Sequence, residues 1–319
     1  MIITHGATDR ALPPVALTIG NFDGVHRGHQ VILERVLGEA RQRGLMSCVL
    51  TFEPHPRELF ERIRAPAPEG SSRYPAPTRL TNVREKLELL AGRGIERTHV
   101  MHFSQSFASL AAEAFVEKVL VQTLRARWIL IGDDFRFGAR RSGDIGLLRT
   151  LGARYGFEVE AMPTIAQDGQ RISSSVVRAA LAAGDLATAE IMLGRPYSIS
   201  GRVEHGNKIG REIGYATANV QLKHNRPPLM GIFVVKAHVD GSPPLPGVAS
   251  LGIRPTVASD GKAVLEVHLF DFAQDLYRRH MRVEFLHKIR DEAKFSGLEA
   301  LKAQIARDCE VARNFFAGA

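Results

Sequence analysis

Hydrophobic positions in the first part of the chain follow two alternating patterns. Short runs of apolar residues, typical of strands that are buried on both faces, alternate with stretches whose apolar residues recur at helical spacing. The strand-like runs are Val15–Gly20, Met46–Phe52, Thr98–Phe103, Trp128–Gly132 and Phe157–Met162. The helical stretches are Gln30–Arg43, Arg84–Leu90 and Ala111–Leu124. This order predicts a doubly wound α/β domain with a parallel sheet, whose ligands bind beyond the carboxyl ends of the strands.

The pattern changes near residue 190. Shorter β-rich runs then follow one another with turns between them, which predicts a small antiparallel barrel or sandwich. These runs are Tyr197–His205, Ile232–Val239, Gly247–Gly252, Val264–Phe270 and Met281–Phe285. A final helix is predicted at Leu298–Ala312, with Ser296 and Glu299 as a capping box at its start. We therefore place one domain at residues 1–190 and a second at residues 191–319.

One stretch interrupts the alternation of strands and helices in the first domain. Ala65–Pro77 is rich in proline, glycine and serine, which fit poorly into a helix or a strand. We predict that it forms a surface loop or an insertion.

The composition narrows the class of protein. The chain has 319 residues, of which 45% are hydrophobic and two are cysteines, so disordered and disulfide-rich classes are excluded. Cys48 and Cys309 are expected to be reduced thiols packed in the interior. The N-terminal residues lack the pattern of a signal peptide, and no apolar run approaches the ~18 residues of a membrane span. We expect a cytoplasmic protein without a membrane partner.

The charge leaves the kind of partner open. A formal net charge of +8 and a pI of about 9.8 suit anionic small molecules, nucleic acids or plain solubility equally well. A nucleic-acid binder is disfavoured because the single Trp and five Tyr provide no stripe of alternating aromatic and basic residues.

A candidate site for an anion follows the first predicted strand. Thr18–His29 runs from a strand through a glycine-rich turn into a helix, whose free N–H groups can bind a phosphate. His26 and His29 lie three residues apart, and Gly28 between them is expected to leave room for a phosphate. Such a pair can neutralise charge on a transferring phosphoryl or nucleotidyl group. Metal binding is the alternative chemistry, although no third ligand at a suitable spacing supports it.

A second group of polar residues precedes a later predicted helix. Ser173, Ser174 and Ser175 can cap that helix, and Arg178 can reach a phosphate with its fork of donors. Asp134 and Phe135, which follow a predicted strand, are expected to line a nucleotide or flavin pocket.

The second domain carries its own candidate site. Gly201–Asn219 combines glycines with cations but contains no Walker A sequence, so any phosphate cradle here belongs to a different kinase architecture. Thr217 and Asn219 are spaced so that an extended chain places both side chains on one face. Glu266 lies in an apolar run, where a carboxylate is unusual and can serve as a general base.

These segments resemble known families in the same order along the chain. The Gly20–His29 turn and the Ile172–Arg178 segment resemble the nucleotidyltransferase superfamily, with Ser175 in place of a threonine. Gly201–Asn219 resembles the riboflavin kinase signature, with Ala216 in place of a proline, and Ser250 stands where an asparagine is expected. Together they resemble the bacterial bifunctional riboflavin kinase/FAD synthetase family over nearly the whole chain.

The resemblance implies two reactions, each consuming ATP. The barrel would phosphorylate riboflavin to FMN, and the α/β domain would adenylylate FMN to FAD and pyrophosphate, with Mg²⁺ as cofactor. It assigns catalysis to His26, His29, Ser174, Arg178 and Glu266, metal binding to Thr217 and Asn219, and flavin binding to Asp23, Asp134 and Phe135. It assigns ATP or phosphate contacts to Gly20, Asn21, Phe22, Gly24, Gly28, Arg171, Ser173, Ser175, Gly206, Gly210, Arg211 and Gly214.

Two alternatives remain open at this point. A related cytidylyl- or adenylyltransferase could use another phosphoester, with the barrel as a binding module. A non-enzymatic nucleic-acid binder is the second alternative, which the positive charge alone supports. We expect riboflavin, FMN and ATP as ligands, no nucleic acid, and a monomer or a weak homo-oligomer.

Overall fold

A computed structural model describes most of the chain. The described residues are 1–6, 12–63, 76–163, 165–167, 170–205, 214–223, 226–239, 242–253 and 263–318. Residues 65–75 of the predicted insertion lie outside them. Backbone contacts divide the chain into two compact units, one comprising Met1–Pro77 and Lys86–Ile172 and the other Thr78–Glu85 and Ser173–Ala319.

The first unit contains a six-stranded parallel sheet. Its strands are β1 (Ile2–His5), β2 (Val15–Ile19), β3 (Met46–Glu53), β4 (Arg97–His102), β5 (Ala126–Gly132) and β6 (Glu158–Met162). They lie in the order β1-β4-β3-β2-β5-β6, and every pair is parallel. The predicted doubly wound α/β architecture is thereby confirmed, and all five predicted strands are present.

Helices connect these strands. They are α1 (Arg27–Arg43), α2 (Pro56–Ile63), α3 (Val83–Gly92), α4 (Gln105–Ala108), α5 (Ala112–Phe115) and α6 (Ile145–Tyr155). The segment Val116–Thr123 continues α5 with π-helical geometry, so the predicted helix Ala111–Leu124 is present but wider in its last part. Ala139–Arg141 forms a 3-10 turn, and β7 (Ala166–Gln167) pairs with β8 (Gln170–Arg171).

Strand β2 shows why the sheet gives continuous apolar runs. All of its residues are buried. Leu17 packs with the π-helical segment and α6 on one face, whereas Ala16 packs with Val36 of α1 and Trp128 of β5 on the other. Helices cover both faces of such a sheet, so the usual alternation of polar and apolar positions disappears.

The second unit contains a closed antiparallel barrel. Its strands are β9 (Tyr197–Glu204), β10 (Ala218–Val220), β11 (Gly231–Val239), β12 (Leu245–Ile253), β13 (Ala263–Leu269) and β14 (His280–Arg290). Their order around the barrel is β10-β13-β12-β11-β14-β9, and β10 also pairs with β9. Helices α7 (Ser174–Ala183) and α8 (Leu186–Leu193) precede the barrel, and α9 (Leu298–Ala317) follows it. The sequence left a barrel and a sandwich open, and the structure is a barrel.

Helix α9 begins at Leu298 as predicted, but its cap and its end differ from the prediction. Its N-terminal cap is Gly297, which has no side chain to bond the first turn. A capping box needs the serine at the cap position, but Ser296 lies one residue further out. The predicted capping box of Ser296 and Glu299 is therefore wrong, and α9 ends at Ala317 rather than Ala312.

An ion pair attaches α9 to the barrel. Asp308 is only 3% exposed. It accepts hydrogen bonds from Arg290 of β14, with Nε to Oδ1 at 3.0 Å and Nη2 to Oδ2 at 2.7 Å. Gln304 donates a third bond of 2.9 Å to Oδ1. The carboxylate is thus compensated on one side by the strand and on the other by its own helix.

Both cysteines are free and buried, as predicted. Burial raises the pKa of the Cys48 thiol to about 12 and that of the Cys309 thiol to about 11. Both thiols are therefore protonated at neutral pH, which makes them poor nucleophiles. No helix within the described ranges is long and apolar enough to cross a membrane.

A buried histidine makes the stability of the first unit depend on pH. His99 on β4 is fully buried, and its Nδ1 lies 2.9 Å from the Thr4 hydroxyl of β1. Burial, together with the charges of Arg97 and His5, lowers the pKa of His99 to about 4. The unfolded chain therefore binds a proton that the folded chain does not bind between pH 6.5 and 4.

We predict that this difference destabilises the first unit in acid. The contribution of His99 is complete above pH 6.5 and is lost as the pH falls towards 4, by up to about 3 kcal/mol. Urea unfolding can be followed by the fluorescence of Trp128, the single tryptophan, at pH 7.5 and 4.5. His99→Asn should show a smaller loss of unfolding free energy between the two pH values than the wild type. Equal losses in both proteins would contradict the prediction.

We predict that Asp308→Ala loosens α9. The substitution leaves Arg290 partly buried without its carboxylate, which should reduce the opening free energy of α9 by about 2–3 kcal/mol. Hydrogen exchange of the α9 amides, read by mass spectrometry, measures this change. Arg307→Ala removes an exposed cation of the same helix and serves as the matched control. Unchanged exchange in Asp308→Ala would show that apolar packing alone holds the helix.

Candidate active sites

The first candidate site is the N-terminus of α1, directly after β2. His26 is the cap residue of this helix, and its Nδ1 accepts a hydrogen bond of 3.3 Å from the backbone N–H of His29. The two imidazole rings are stacked, with 3.7 Å between centroids and 15° between planes. Phe22 contacts the His29 ring from the turn, with 4.8 Å between centroids. The histidines therefore form one stacked pair at the helix start.

This stacking changes the role expected for Gly28. A side chain there would meet Nδ1 of His26 at 3.2 Å and the carbonyl oxygen of Ile172 at 3.4 Å. The lack of a side chain at Gly28 therefore leaves room for the His26 ring. The expectation that a phosphate fits between the two histidines is wrong, because their rings contact one another.

Two polar atoms at this site have no partner in the described part of the chain. They are Nδ1 of His29 and Oδ1 of Asn21, and both are buried. Burial lowers the pKa of His29 well below 6.5, and the charges of His26 and Lys86 lower it further. His29 is therefore neutral at pH 7 before an anion binds. An unsatisfied buried polar atom is costly, and a hydrogen-bonding ligand would remove that cost.

The turn that leads into α1 has strained backbone angles. Phe22 has a φ of 48° and Val25 a φ of 41°, both in the left-handed region, and Gly24 lies between them at 80°. A β-branched residue rarely adopts this region, and such strain is concentrated at functional sites. The strained turn brings the buried Phe22 ring against His29 and allows His26 to cap α1.

A further group lies beyond the carboxyl end of β5. Asp134 is exposed and forms an ion pair of 3.2 Å with Arg171. Phe135 stacks on Phe137, with 5.6 Å between ring centroids. The structure thus brings a predicted flavin-contacting carboxylate together with a predicted phosphate-binding arginine.

The sequence interpretation missed an aromatic cluster in this unit. Phe52 is the next-to-last residue of β3 and Phe103 follows β4, and their ring centroids lie 5.7 Å apart. Phe103 also contacts Phe107 at 5.6 Å and Phe60 at 6.0 Å, and Phe60 is 45% exposed. The available signal was the presence of phenylalanines at the ends of two successive parallel strands.

The serine segment lies in the second unit. Ser173 caps α7 by accepting a bond of 3.4 Å from the N–H of Val176, which confirms the predicted serine cap. Ser174 is the first residue of the helix. Nε of Arg178 donates a bond of 2.6 Å to the carbonyl of Thr78, so the guanidinium is anchored at one edge.

Glu85 links two distant segments of the same unit. With Asn82 it forms a capping box at the start of α3, through bonds of 2.8 and 3.0 Å. Its other oxygen accepts a bond of 2.6 Å from the N–H of Ser200 in β9. The Glu85 side chain is buried, and its carboxylate accepts bonds from the backbone N–H groups of Asn82 and Ser200.

The barrel site is organised by the short strand β10. Asn219 is the central residue of β10 and lies opposite Glu204 of β9 and Glu266 of β13. Ser250 of β12 is in turn the cross-strand partner of Glu266. Residues opposite each other in antiparallel strands point to the same face, so these four form one row.

A cavity of about 590 Å³ lies beside this row. Thr217 and Asn219 both line it, as their spacing predicts. Other lining residues are Val203, Val267, Leu269, Asp275, Leu276 and Tyr277. His205 packs on Tyr277 with 3.8 Å between ring centroids, which joins the end of β9 to the cavity wall. The mixture of apolar walls and a few oxygens suits a small organic ligand.

The glycines of the barrel segment have different roles. A side chain at Gly201 would collide with the carbonyl oxygen of Gln221, so this glycine allows two chain segments to approach. Gly214 has a φ of 88°, which favours glycine. The predicted phosphate contacts Gly206, Gly210 and Arg211 lie outside the described residues.

The donor set near Thr217 fits Mg²⁺ in one particular way. Among the described residues, no group of three or more His, Cys, Asp or Glu could hold a metal ion. Thr217 and Asn219 instead offer two neutral oxygens beside the cavity. Mg²⁺ commonly takes a small number of protein ligands and completes its octahedron with phosphate oxygens and water. These residues therefore fit an ion that arrives with a nucleotide.

Comparisons with known proteins match both units. The sequence model of the FAD synthetase family matches residues 8–176, and that of the riboflavin kinase family matches residues 193–316. The bifunctional riboflavin kinase/FMN adenylyltransferase of Escherichia coli strain K12 is 49% identical over 312 residues, 98% of this chain and 96% of that protein. The protein of that name from Pseudomonas fluorescens is 50% identical over 93% of this chain and 91% of that protein.

A solved structure has the same fold along the whole chain. It is the crystal structure of a protein named a macrolide-efflux protein, from Streptococcus pneumoniae. The two chains are 31% identical, with a TM-score of 0.80 over 98% of this chain and 99% of the other.

The first part of the chain combines a parallel sheet with a histidine-capped helix and matches the FAD synthetase family. The second part is a barrel with Thr217 and Asn219 beside its cavity, and it matches the riboflavin kinase family. The chain belongs to the bifunctional riboflavin kinase/FMN adenylyltransferase family.

Proposed function

We propose that the two reactions are divided between the two parts of the chain. The chain is a riboflavin kinase and an FMN adenylyltransferase, and it makes FMN and then FAD. Residues 191–319 phosphorylate riboflavin, and residues 1–190 adenylylate FMN. The observation that carries this division is the match of a different enzyme family to each part.

Adenylyl transfer needs stabilisation of negative charge. A phosphate oxygen of FMN attacks the α-phosphorus of ATP, and the bond to the β-phosphate oxygen breaks to release pyrophosphate. The free N–H groups at the start of α1 are one source of stabilisation, and the His26–His29 pair is another. An anion beside the stacked rings favours their protonation, which would turn neutral hydrogen-bond donors into charged ones. The unpartnered Nδ1 of His29 supports this role.

Other residues position the two substrates of adenylyl transfer. Ser174 and Arg178 are proposed to bind charge that develops on the phosphates, and the anchored Nε of Arg178 limits the movement of its guanidinium. Asp23, Asp134 and Phe135 are proposed to contact flavin. The proposed nucleotide and phosphate contacts are Gly20, Asn21, Phe22, Gly24, Gly28, Arg171, Ser173 and Ser175.

Riboflavin phosphorylation needs a base and a bound nucleotide. Glu266 is proposed to accept the proton of the riboflavin 5′-hydroxyl. The hydroxyl oxygen of riboflavin then attacks the γ-phosphorus of ATP, and ADP leaves. Thr217 and Asn219 are proposed to hold Mg²⁺, which neutralises phosphate charge when bound. Gly206, Gly210, Arg211 and Gly214 are proposed to surround the ATP phosphates. The row that places Asn219 opposite Glu266 supports the proximity of base and metal site.

The setting of the enzyme follows from its substrates. Because both reactions consume ATP, we propose that the protein acts in the cytoplasm. A monomer or a weak homo-oligomer is proposed, since each part of the chain carries the residues assigned to its own reaction.

His29→Ala should remove FAD formation and spare FMN formation. We expect at least a 100-fold lower rate of adenylylation of supplied FMN, because a donor at the developing charge is lost. Riboflavin, FMN and FAD are separated by chromatography after incubation with Mg-ATP. His287→Ala, which removes a histidine of β14, is the matched control. Simultaneous loss of both activities from folded His29→Ala protein would argue against separate sites.

Glu266→Gln should have the opposite effect. The amide cannot accept the hydroxyl proton, so we expect a 100-fold or greater loss of FMN formation. FAD formation from supplied FMN should stay within about twofold of the wild type. Glu284→Gln changes a glutamate on another barrel strand and is the matched control. Retention of riboflavin phosphorylation by Glu266→Gln would reject Glu266 as the base.

A further inference from the structure

His268 is a barrel residue to which the reactions described above assign no role. It lies on β13, two residues after Glu266, and is half-buried. Its Nδ1 is 2.9 Å from the carbonyl oxygen of Ala216. A carbonyl oxygen only accepts hydrogen bonds, so Nδ1 carries the proton and donates it. The ring also meets Tyr215 edge to face, with 5.4 Å between centroids.

The bond between His268 and Ala216 lies just beyond the last backbone pair of β10 and β13. In the register of β10 and β13, Ala218 lies opposite Val267, so the next residue pair would be Thr217 and His268. Strand β10 starts at Ala218, however, and Thr217 has no place in the ladder. The side chain of His268 instead holds the residue before Thr217. Both neighbours of Thr217 are therefore held to β13: Ala218 by its pairing with Val267, and Ala216 by the bond from His268.

The bond from His268 is important because residue 216 is an alanine in this chain. The riboflavin kinase signature has a proline there, which fixes φ near −65° and stiffens the approach to the threonine. Ala216 is exposed and lacks that restraint. Tyr215 packs on the apolar cluster between the barrel and α9. The bond from His268 then restrains the backbone between that anchor and Thr217.

We propose that His268 is a positioning residue of the kinase site, which fixes the metal-binding oxygen of Thr217 through the carbonyl of Ala216. The inference rests on the proposed role of Thr217 and Asn219. It follows that loss of the Nδ1–H donor disorders the segment before Thr217 and weakens Mg-ATP binding. Supporting residues of metal sites commonly affect affinity or activity by 10- to 100-fold.

Four variants test the proposal with the full-length enzyme. His268→Leu removes the donor and keeps an apolar side chain of similar reach. His268→Asn keeps an N–H close to the position of Nδ1. The double variant His268→Leu, Ala216→Pro replaces the lost bond by a backbone restraint, and Thr217→Val removes the proposed ligand itself. KM for Mg-ATP and kcat are measured for FMN formation, with FAD formation from supplied FMN in the same samples. Hydrogen exchange of the segment before Thr217, read by mass spectrometry without nucleotide, should be faster in His268→Leu than in the wild type.

We expect a selective effect on nucleotide binding. His268→Leu should raise KM for Mg-ATP about 10-fold, with a smaller change in kcat and with unchanged FAD formation. His268→Asn should remain within about threefold of the wild type, and Ala216→Pro should recover most of the loss in the double variant. A structural role alone would not give rescue by a proline at another position.

Other results would overturn the proposal. A wild-type KM in His268→Leu would do so, as would equal defects in His268→Leu and His268→Asn without rescue by proline. If His268→Leu does not fold, His268→Gln replaces it, since its amide N–H lies near the Nε2 position rather than Nδ1. Equal KM values in the Asn and Gln variants would then reject the role of Nδ1. Wild-type kinetics of FMN formation in Thr217→Val would reject the proposed metal site itself. Defective kinetics in Thr217→Val together with wild-type kinetics in His268→Leu would reject only the role of His268.

Discussion

Hydrogen-bonded strand ladders fix the positions of the polar residues in both units. In the first unit, the parallel ladder ends at Ile19, and the chain turns at once into α1 with His26 as its cap. In the second unit, all three residues of β10 pair with β13, and two of them, Asn219 and Val220, also pair with β9 and thereby close the barrel. Without these two pairings, Asn219 would lack its fixed position between Glu204 and Glu266. Rigid ladders thus supply the precision that phosphoryl and adenylyl transfer require.

The sequence predicts the strands well because burial on both faces leaves an unmistakable apolar run. Each predicted strand of the parallel sheet is present within two residues of its predicted ends. Two short strands that were missed lack such a signal. Strand β1 has only four residues at the sheet edge, and β10 has only three. The start of α9 at Leu298 was predicted correctly, but its cap was assigned to Ser296 because Ser296 and Glu299 have the spacing of a capping box, whereas the cap residue is Gly297.

The site was predictable in its residue types and less so in its contacts. Spacing identified His26 and His29, but only the structure shows that their rings stack and that Gly28 accommodates the His26 ring. The anchoring of Arg178 by Thr78 joins residues 100 positions apart, which no local pattern reports. The bond between His268 and Ala216 was equally hidden, since it depends on where the ladder of β10 stops. Contacts of this kind arise from tertiary packing rather than from periodicity.

The buried carboxylate of Glu85 has a consequence for synthesis of the chain on the ribosome. Its partner Ser200 lies 115 residues further along the sequence. At roughly 5–20 residues per second, Ser200 is made about 6–23 s after Glu85. The bond from the Ser200 N–H can form only after that interval, whereas the bond from the Asn82 N–H joins residues that are made together. The second unit therefore combines a segment that is made early with a barrel that is made later, and the contact between Glu85 and Ser200 cannot precede the synthesis of β9.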